Sequence, residues 1–471
     1  MGKTGVITAA ALFCAAYLSV GLVFLGLDKF YFIVAGGKKF ATFPNWNSQL
    51  GIGLSYLALQ LLYLIWLLQT KRPYAFSRFI NILSCTAIFL ALAFLAYPLG
   101  DDVYLYLHFG LMNLSGVNPL INKASSFVSQ LSPFVDWGQS STYGTVSQLL
   151  FTTSAAVVPI NPILAVYVYK SFCLCLHIIN GYLIWRLLLP PERGKITIAY
   201  LLNPLLLMEQ VGSGHVDILV STSLIVFIGS LTEQRYILAF LGIWGGFLAK
   251  TLPIIWMPLV SIFLVRQRRW KQLAGIFILS LVLFITLWNT VMPGFEAWTS
   301  LLNPGVAGKY HSSIHALVQS GLELLRVSSP YSMTLRQERQ ILQNFTLCTS
   351  IGFAAFYGWI AFRSYGKRYD SQPNLISDIS WVTLTLLLVA TPWLMPWYAS
   401  VLLPIVALTP KAQLFGLTSL MFCLSSSSIY LLQGENAVES IIVIGVPALV
   451  LIVWASGYAQ QIKAETDESA L

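Results

Sequence analysis

An all-α integral membrane protein with many transmembrane helices is the fold class that this sequence predicts. Of the 471 residues, 57% are apolar or aromatic and only 10% are charged, against about 25% charged residues in an ordinary soluble domain. The apolar residues form stretches of about 20, the length that crosses a bilayer. Lysines and arginines lie in short runs between these stretches and do not form the clustered basic face of a nucleic-acid-binding protein. We therefore expect contacts with membrane lipids and none with nucleic acid.

The apolar stretches predict fourteen helices, or as few as twelve if short proline-containing segments in the middle are merged. They cover residues 4–26, 50–69, 80–98, 162–188, 196–210, 214–231, 235–250, 252–265, 271–292, 341–362, 377–392, 396–409, 412–431 and 440–458. The first stretch is longer than the apolar core of a signal peptide and has no small-residue cleavage site, so we expect a retained helix. We divide the chain into two N-terminal transmembrane helices, residues 1–79, and a main transmembrane domain, residues 80–471.

Two long polar connections, 99–161 and 293–340, lie on the outer side of the membrane if the N-terminus is inside. Lysine and arginine favour inner loops, and with this orientation seventeen of the 27 lie inside. These are Lys3, Lys71, Arg72, Arg78, Arg186, Arg193, Lys195, Arg235, Arg266, Arg268, Arg269, Lys271, Arg363, Lys367, Arg368, Lys411 and Lys463. The charge bias therefore predicts two large outer loops and an outward-facing site.

Two adjacent carboxylates, Asp101 and Asp102, directly follow the third predicted helix. Like charges this close raise each other's proton affinity, which suits one of them to act as a base. The alternative is that one of them caps the following helix, predicted from about Val103 to Leu114. We expect one aspartate to cap this helix and the other to be functional.

Other polar and aromatic residues fall in turns that the same orientation places outside. They are Glu209, His215, Asp217, Lys250, His311, His315, Trp393, Trp397 and Tyr398. His215 and Asp217 could equally be hydrated turn residues, and the three aromatic residues are more simply an interfacial belt. Lys250 needs an anion or a route to water, because a cation between apolar flanks is unfavourable in a membrane. Lys170 and His177 raise the same question inside a predicted helix.

These residues together indicate a carboxylate base beside several cations at the outer membrane surface. Cations bind anionic lipid head groups. Transfer from a lipid-phosphate donor to a hydroxyl acceptor requires this combination, because a base removes the hydroxyl proton and cations stabilise the leaving phosphate. The carboxylates would suffice for a divalent metal ion, although no spacing demands one.

Several motifs in order along the chain resemble the GT-C glycosyltransferases that use polyprenyl-phosphate sugars, especially their bacterial mannosyltransferase-like branch. The motifs are Asp101-Asp102-Val103-Tyr104-Leu105-Tyr106, Gly110, Gly116, Asn118-Pro119, Tyr143-Gly144, Gln148-Leu149-Leu150-Phe151, Asn203-Pro204-Leu205, Glu209, Gly214-His215-Val216-Asp217, Ala249-Lys250 and Pro396-Trp397-Tyr398. The resemblance covers the chain from about residue 80 onward. It implies a GT-C-like helix bundle with juxtamembrane helices in the first outer loop, in a bacterial plasma membrane.

The resemblance also implies inverting transfer of a hexose, with mannose as one candidate, to a glycan or glycolipid hydroxyl. Asp101 or Asp102 would be the base, and Glu209, His215 and Asp217 would line the acceptor and sugar pocket. Lys250, with His311 or His315, would face the donor phosphate. The first-loop residues Tyr104, Tyr106, Asn118 and Tyr143 would contact substrate. If these roles are correct, an aspartate, His215 and Lys250 should open into one outer cavity.

The sequence departs from the branch pattern at three sites, which leaves open a non-mannosyl donor or a member without activity. Leu105 replaces a frequent arginine, His108-Phe109 replaces a frequent Trp-Asp, and Leu120 replaces a tyrosine. A transporter or flippase of lipid-linked sugars would show repeated halves with polar residues at mid-bilayer, and no such repeat is visible. A non-catalytic assembly subunit would use the two N-terminal helices for docking.

Overall fold

The computed structural model describes residues 3–37, 43–70, 78–302, 308–328, 333–366 and 371–469, with side chains from residue 5 to residue 457. These residues are predominantly helical and include no β-strand, apart from one isolated bridge between His311 and Trp393. The predicted inner cations Lys71, Arg72, Lys367 and Arg368 lie outside the described residues.

Twenty α-helices follow one another along the described part of the chain. They are α1 Lys3–Val34, α2 Trp46–Gln69, α3 Phe79–Leu95, α4 Asp102–Leu114, α5 Thr145–Ala155, α6 Pro162–Leu187, α7 Pro190–Leu201, α8 Asp217–Thr232, α9 Tyr236–Phe247, α10 Trp256–Arg266, α11 Trp270–Asn289, α12 Gly294–Leu302, α13 Ile314–Ser328, α14 Leu335–Tyr365, α15 Gln372–Thr385, α16 Pro396–Ala399, α17 Leu403–Leu408, α18 Gln413–Ser427, α19 Ile429–Leu432 and α20 Asn436–Ser469. Two π-helical segments, Leu206–Gly212 and Leu386–Ala390, interrupt this series.

The helices confirm the predicted all-α polytopic membrane fold. Eight described helices are long and apolar enough to cross a membrane, and a ninth span is formed if the pair Leu206–Gly212 and Asp217–Thr232, bent by 114°, counts as one. Four shorter apolar helices, Phe79–Leu95, Tyr236–Phe247, Leu252–Arg266 and Pro396–Leu408, correspond to the predicted segments 80–98, 235–250, 252–265 and 396–409.

Two predicted helix boundaries differ from the structure for identifiable reasons. The first apolar stretch predicted a helix that ends at residue 26, but α1 continues to Val34, because the Lys29 side chain is buried against an acidic partner. The predicted segment 196–210 is divided after α7. Pro204 has no backbone N–H to continue a helix, and the Asn203 side chain accepts from the Leu205 backbone N–H at 3.0 Å.

Two buried polar side chains inside α6 stabilise neighbouring helix ends. Lys170, fully buried, donates to the carbonyl oxygens of Phe94 and Ala96 at the C-terminal end of α3. His177 contacts the Leu201 carbonyl oxygen at 3.2 Å through Nε2. A cation beside the last carbonyl groups of a helix donates hydrogen bonds to them, and these carbonyl groups have no partner within the helix. Both residues therefore have structural partners, and Lys170 holds the end of α3 just before Asp101.

The first long connection, residues 99–161, contains the predicted helices α4 and α5, which pack tightly together. The Tyr106 ring of α4 stacks on the Phe151 ring of α5 with centroids 4.7 Å apart and planes 3° apart. Gly110 lies against the Phe151 carbonyl and the Ala155 methyl group, where an added Cβ would clash. This close approach fixes α4, and with it the two aspartates at its start, against the bundle.

Candidate active site

A cavity of about 700 Å³ lies among the first long connection (residues 99–161), the break before α8 and the segment before α16. Five of the residues predicted to be functional line it: Asp101, Asp102, Glu209, His215 and His311. The helices α1 and α2 also contribute to the wall, through Lys29 and Tyr56 and through the apolar side chains of Leu18, Leu22 and Ile52. The cavity thus combines charged and apolar surfaces.

Asp101 stands at the N-cap position of α4, but its side chain makes no capping hydrogen bond. Its Oδ1 atom lies 3.3 Å from the Lys29 ammonium, which also donates to the Leu99 carbonyl oxygen at 3.0 Å. The expectation that one aspartate caps the helix through its side chain is therefore wrong for Asp101. A lysine 72 positions earlier in the chain, which sequence reasoning did not select, binds this carboxylate.

Asp102, the first residue of α4, belongs to a chain of polar contacts that runs into the bundle. Its Oδ2 atom lies 3.5 Å from His215 Nδ1, and His215 Nε2 lies 3.4 Å from Glu209 Oε2. The Asp102 side chain is 38% exposed, whereas the Glu209 side chain is 1% exposed. One histidine thus connects a carboxylate accessible from the cavity with a buried one.

Glu209 has two further partners from distant parts of the chain. Tyr56 of α2 donates to its Oε1 atom at 3.3 Å, and Tyr430 of α19 donates to its Oε2 atom at 3.1 Å. A buried carboxylate is tolerated when donors surround it in this way. The three donors fix the position of Glu209 and therefore that of His215.

The break between the π-helical segment and α8 places His215 in the cavity wall. Gly214 has φ +72, a conformation that favours glycine. The His215 backbone N–H then donates to the Glu209 carbonyl oxygen at 2.9 Å. The imidazole stacks on the Trp397 ring at 3.6 Å, so Trp397 is part of this site and does more than face the membrane interface.

Lys250 and Asp217 form a separate pair beside the cavity. The Lys250 ammonium lies 2.8 Å from both Asp217 carboxylate oxygens and 4.5 Å from the centre of the Tyr398 ring. Neither Lys250 nor Asp217 is among the residues that line the cavity. The predicted common cavity therefore includes both aspartates and His215 but not Lys250, whose charge is matched by Asp217.

His311, in the second long connection (residues 293–340), also lines the cavity. Its Nδ1 atom lies 2.8 Å from Oε1 of Glu439, which is fully buried in the first turn of α20. The His311 backbone is held by hydrogen bonds to Pro392 and Leu394, at 3.1 Å and 2.9 Å. Sequence reasoning selected His311 but missed Glu439.

The structure does not bring the remaining predicted residues to the cavity wall. His315 contacts Thr349 at 2.8 Å, and burial lowers its pKa to about 4. Tyr104 donates to the Tyr97 hydroxyl at 3.0 Å, and the Tyr106 and Tyr143 rings contact each other at 5.1 Å. Asn118 donates to the Val291 carbonyl oxygen at 3.1 Å. Each of these side chains thus contacts a neighbouring part of the protein away from the cavity wall.

A family model for the N-terminal domain of alpha-(1->6)-mannopyranosyltransferases matches residues 4–266 of this chain. The chain belongs to this mannosyltransferase family. The match covers more than half of the chain and includes both aspartates, Glu209 and His215, as well as Lys29 of α1. It ends before His311 and Glu439. Searches of curated proteins and of solved structures gave no match.

Family membership confirms the resemblance to mannosyltransferases that the ordered motifs predicted. The protein is therefore an integral membrane glycosyltransferase of a mannosyltransferase family. The matched region begins at residue 4, so that α1 and α2 belong to the family domain. No group of three or more His, Cys, Asp or Glu side chains suited to a metal ion occurs in the described part of the chain.

Proposed function

We propose that this protein transfers mannose from a polyprenyl-phosphate donor to a hydroxyl of a glycan or glycolipid, with inversion at the anomeric carbon. The reaction takes place on the extracytoplasmic side of a bacterial plasma membrane. The observation that carries the proposal is a cavity that contains an accessible carboxylate, Asp102, next to the ion pair between Asp101 and Lys29. The family's name specifies an α-linkage in the product. An inverting enzyme that forms an α-linkage requires a donor in which mannose is β-linked to the phosphate.

Asp102 is the proposed base, because its carboxylate is 38% exposed, against 25% for Asp101. In the transfer step the acceptor oxygen bonds to the anomeric carbon while its proton passes to Asp102. The bond between that carbon and the phosphate oxygen breaks, and the electron pair leaves on the phosphate. His215, fixed by Glu209 and Trp397, orients Asp102 and lines the sugar pocket.

Lys29 and His311 are the proposed contacts of the donor phosphate, because both line the cavity. Cations near a leaving phosphate stabilise the charge that develops on it. The apolar residues Leu18, Leu22 and Ile52 would contact the adjoining part of the polyprenyl chain. Lys250, paired with Asp217, would hold the break before α8 beside the sugar pocket.

The test is a transfer assay with purified protein, a short-chain polyprenyl-phosphate β-mannose and octyl α-(1→6)-dimannoside as the acceptor. We expect release of polyprenyl phosphate that depends on the acceptor, and an α-linked product by NMR. Asp102→Asn should lower kcat at least about 100-fold, as loss of a general base does, and Asp101→Asn should have a smaller effect.

Asp136→Asn is the matched control, because Asp136 is the third aspartate on the same cavity wall. If neither Asp101→Asn nor Asp102→Asn reduced turnover, the mechanism would be wrong. Movement of the donor across a proteoliposome membrane without transfer would instead indicate a transporter.

A further inference from the structure

A buried carboxylate behind the cavity, that of Glu439, has no role in the proposed transfer step. Glu439 is 0% exposed, and its Oε2 atom has no hydrogen-bond partner among the described residues. A charge buried in this way is unfavourable unless it is paired. The His311 imidazole is its ionisable partner, at 2.8 Å.

The structure around this pair holds the two side chains together. Ser312, fully buried and with φ +47, donates to Glu439 Oε1, and its Oγ atom lies 2.6 Å from His311 Nδ1. A serine with positive φ is uncommon and is kept only where surrounding contacts fix it. Glu439 also lies in the first turn of α20, where the helix dipole favours a negative charge.

The contact with Glu439 distinguishes the two ring nitrogens of His311. Nδ1 faces Glu439, so Nε2 lies on the opposite edge of a ring that lines the cavity and is edge-on to Trp393 at 5.0 Å. A carboxylate that accepts from one ring nitrogen fixes the tautomer and orientation of an imidazole and stabilises its charged form. In the imidazolium form the second nitrogen presents an N–H group to an anion.

We propose that Glu439 is a positioning residue that holds His311 so that its Nε2–H binds the phosphate group of the lipid donor and of the lipid-phosphate product. This inference rests on the proposed function and assigns the phosphate site to a residue pair beyond the matched domain. Glu439 acts through His311 and does not itself contact the lipid. The other charged groups of the cavity wall are Lys29, Asp101, Asp102, Asp136, Glu209 and His215.

The test measures binding of farnesyl phosphate to the full-length protein in detergent, with farnesol as the ligand that lacks phosphate. Glu439→Gln keeps the size of the side chain but removes its charge. We expect about tenfold weaker binding of farnesyl phosphate, as for loss of one hydrogen bond to a charged group, and unchanged binding of farnesol. His311→Ala should weaken phosphate binding at least as much.

A double-mutant cycle separates positioning from a general structural role. If Glu439 acts through His311, Glu439→Gln should change binding less than twofold in the His311→Ala background, because the contact is already absent. An equal loss in both backgrounds would overturn the proposal. Ser440→Ala is the control for α20, since Ser440 is also buried and donates to the Asn436 carbonyl oxygen of its own helix.

The binding assay distinguishes this inference from the transfer reaction itself. If wild-type protein transfers mannose while Glu439→Gln and His311→Ala bind farnesyl phosphate normally, this inference fails and the proposed function stands. If wild-type protein transfers no mannose but the two variants lose phosphate binding and are non-additive, the phosphate site stands without the transfer.

Discussion

Single side chains in this cavity are held by partners that lie far away in the chain. Tyr430 and Glu209 are separated by 221 positions, and Tyr56 and Glu209 by 153. Each hydroxyl satisfies a carboxylate that would otherwise be buried without enough donors. Because Glu209 in turn fixes His215 beside Asp102, removal of a tyrosine hydroxyl should affect catalysis through this chain of contacts.

Tyr56→Phe tests this coupling against a matched substitution on the same helix. It removes the hydrogen bond to Glu209, whereas Tyr63→Phe removes a buried hydrogen bond to the Ala199 carbonyl oxygen at 3.0 Å. We expect Tyr56→Phe to lower kcat by about 2- to 10-fold, the usual contribution of one hydrogen bond, and Tyr63→Phe to leave it unchanged. Equal kcat values for the two variants in the mannose transfer assay would contradict the coupling.

At the scale of single residues, the sequence alone revealed those that are charged within an apolar chain or that belong to a recognisable motif. Asp101, Asp102, Glu209, His215 and His311 were found in this way and share one cavity. Their partners Lys29, Tyr56, Tyr430 and Glu439 were missed, because only tertiary packing brings them to the site. A lysine near the end of an apolar helix is itself a signal, since its charge requires a partner.

At the scale of helices, the contact between α4 and α5 determines where the two aspartates lie. Gly110 permits this contact, because a Cβ there would clash with the Phe151 backbone. The motif that contains Gly110 was visible in the sequence, but the reason for a glycine was not. Helix boundaries at charged residues and prolines were less predictable. The extension of α1 to Val34 is an example, because the burial of Lys29 in this helix depends on its contact with Asp101, which lies later in the chain.

Gly110→Ala should therefore destabilise the protein and reduce transfer. Separation of two packed helices by an added methyl group costs about 1–3 kcal/mol, which should appear as a lower Tm in detergent and a lower kcat. Gly352→Ala is the control, because Gly352 lies in α14 with open space around its Cβ position. That substitution should leave kcat unchanged and leave the Tm equal or slightly higher, since alanine favours a helix. Equal Tm values for the two variants would argue against close packing as the reason for Gly110.

At the scale of the whole molecule, the predicted orientation places the cavity on the outer side of the membrane. The charge bias that supports this orientation comes from seventeen of the 27 lysines and arginines. Asn122, in the loop between α4 and α5, and Thr232, at the end of α8, are both exposed and lie on opposite predicted sides. Their accessibility therefore tests the orientation directly.

Cysteine labelling provides this measurement. In a variant whose six native cysteines are replaced, Asn122→Cys should react with a membrane-impermeant maleimide in intact spheroplasts. Thr232→Cys should react only after permeabilisation, because the predicted orientation places the turn between α8 and α9 on the cytoplasmic side, which the maleimide cannot reach. Reversed labelling would place Asp101, Asp102 and His215 on the inner side. The donor would then have to present its sugar to the cytoplasm, and the extracytoplasmic part of the proposed reaction would be wrong even if the transfer chemistry were correct.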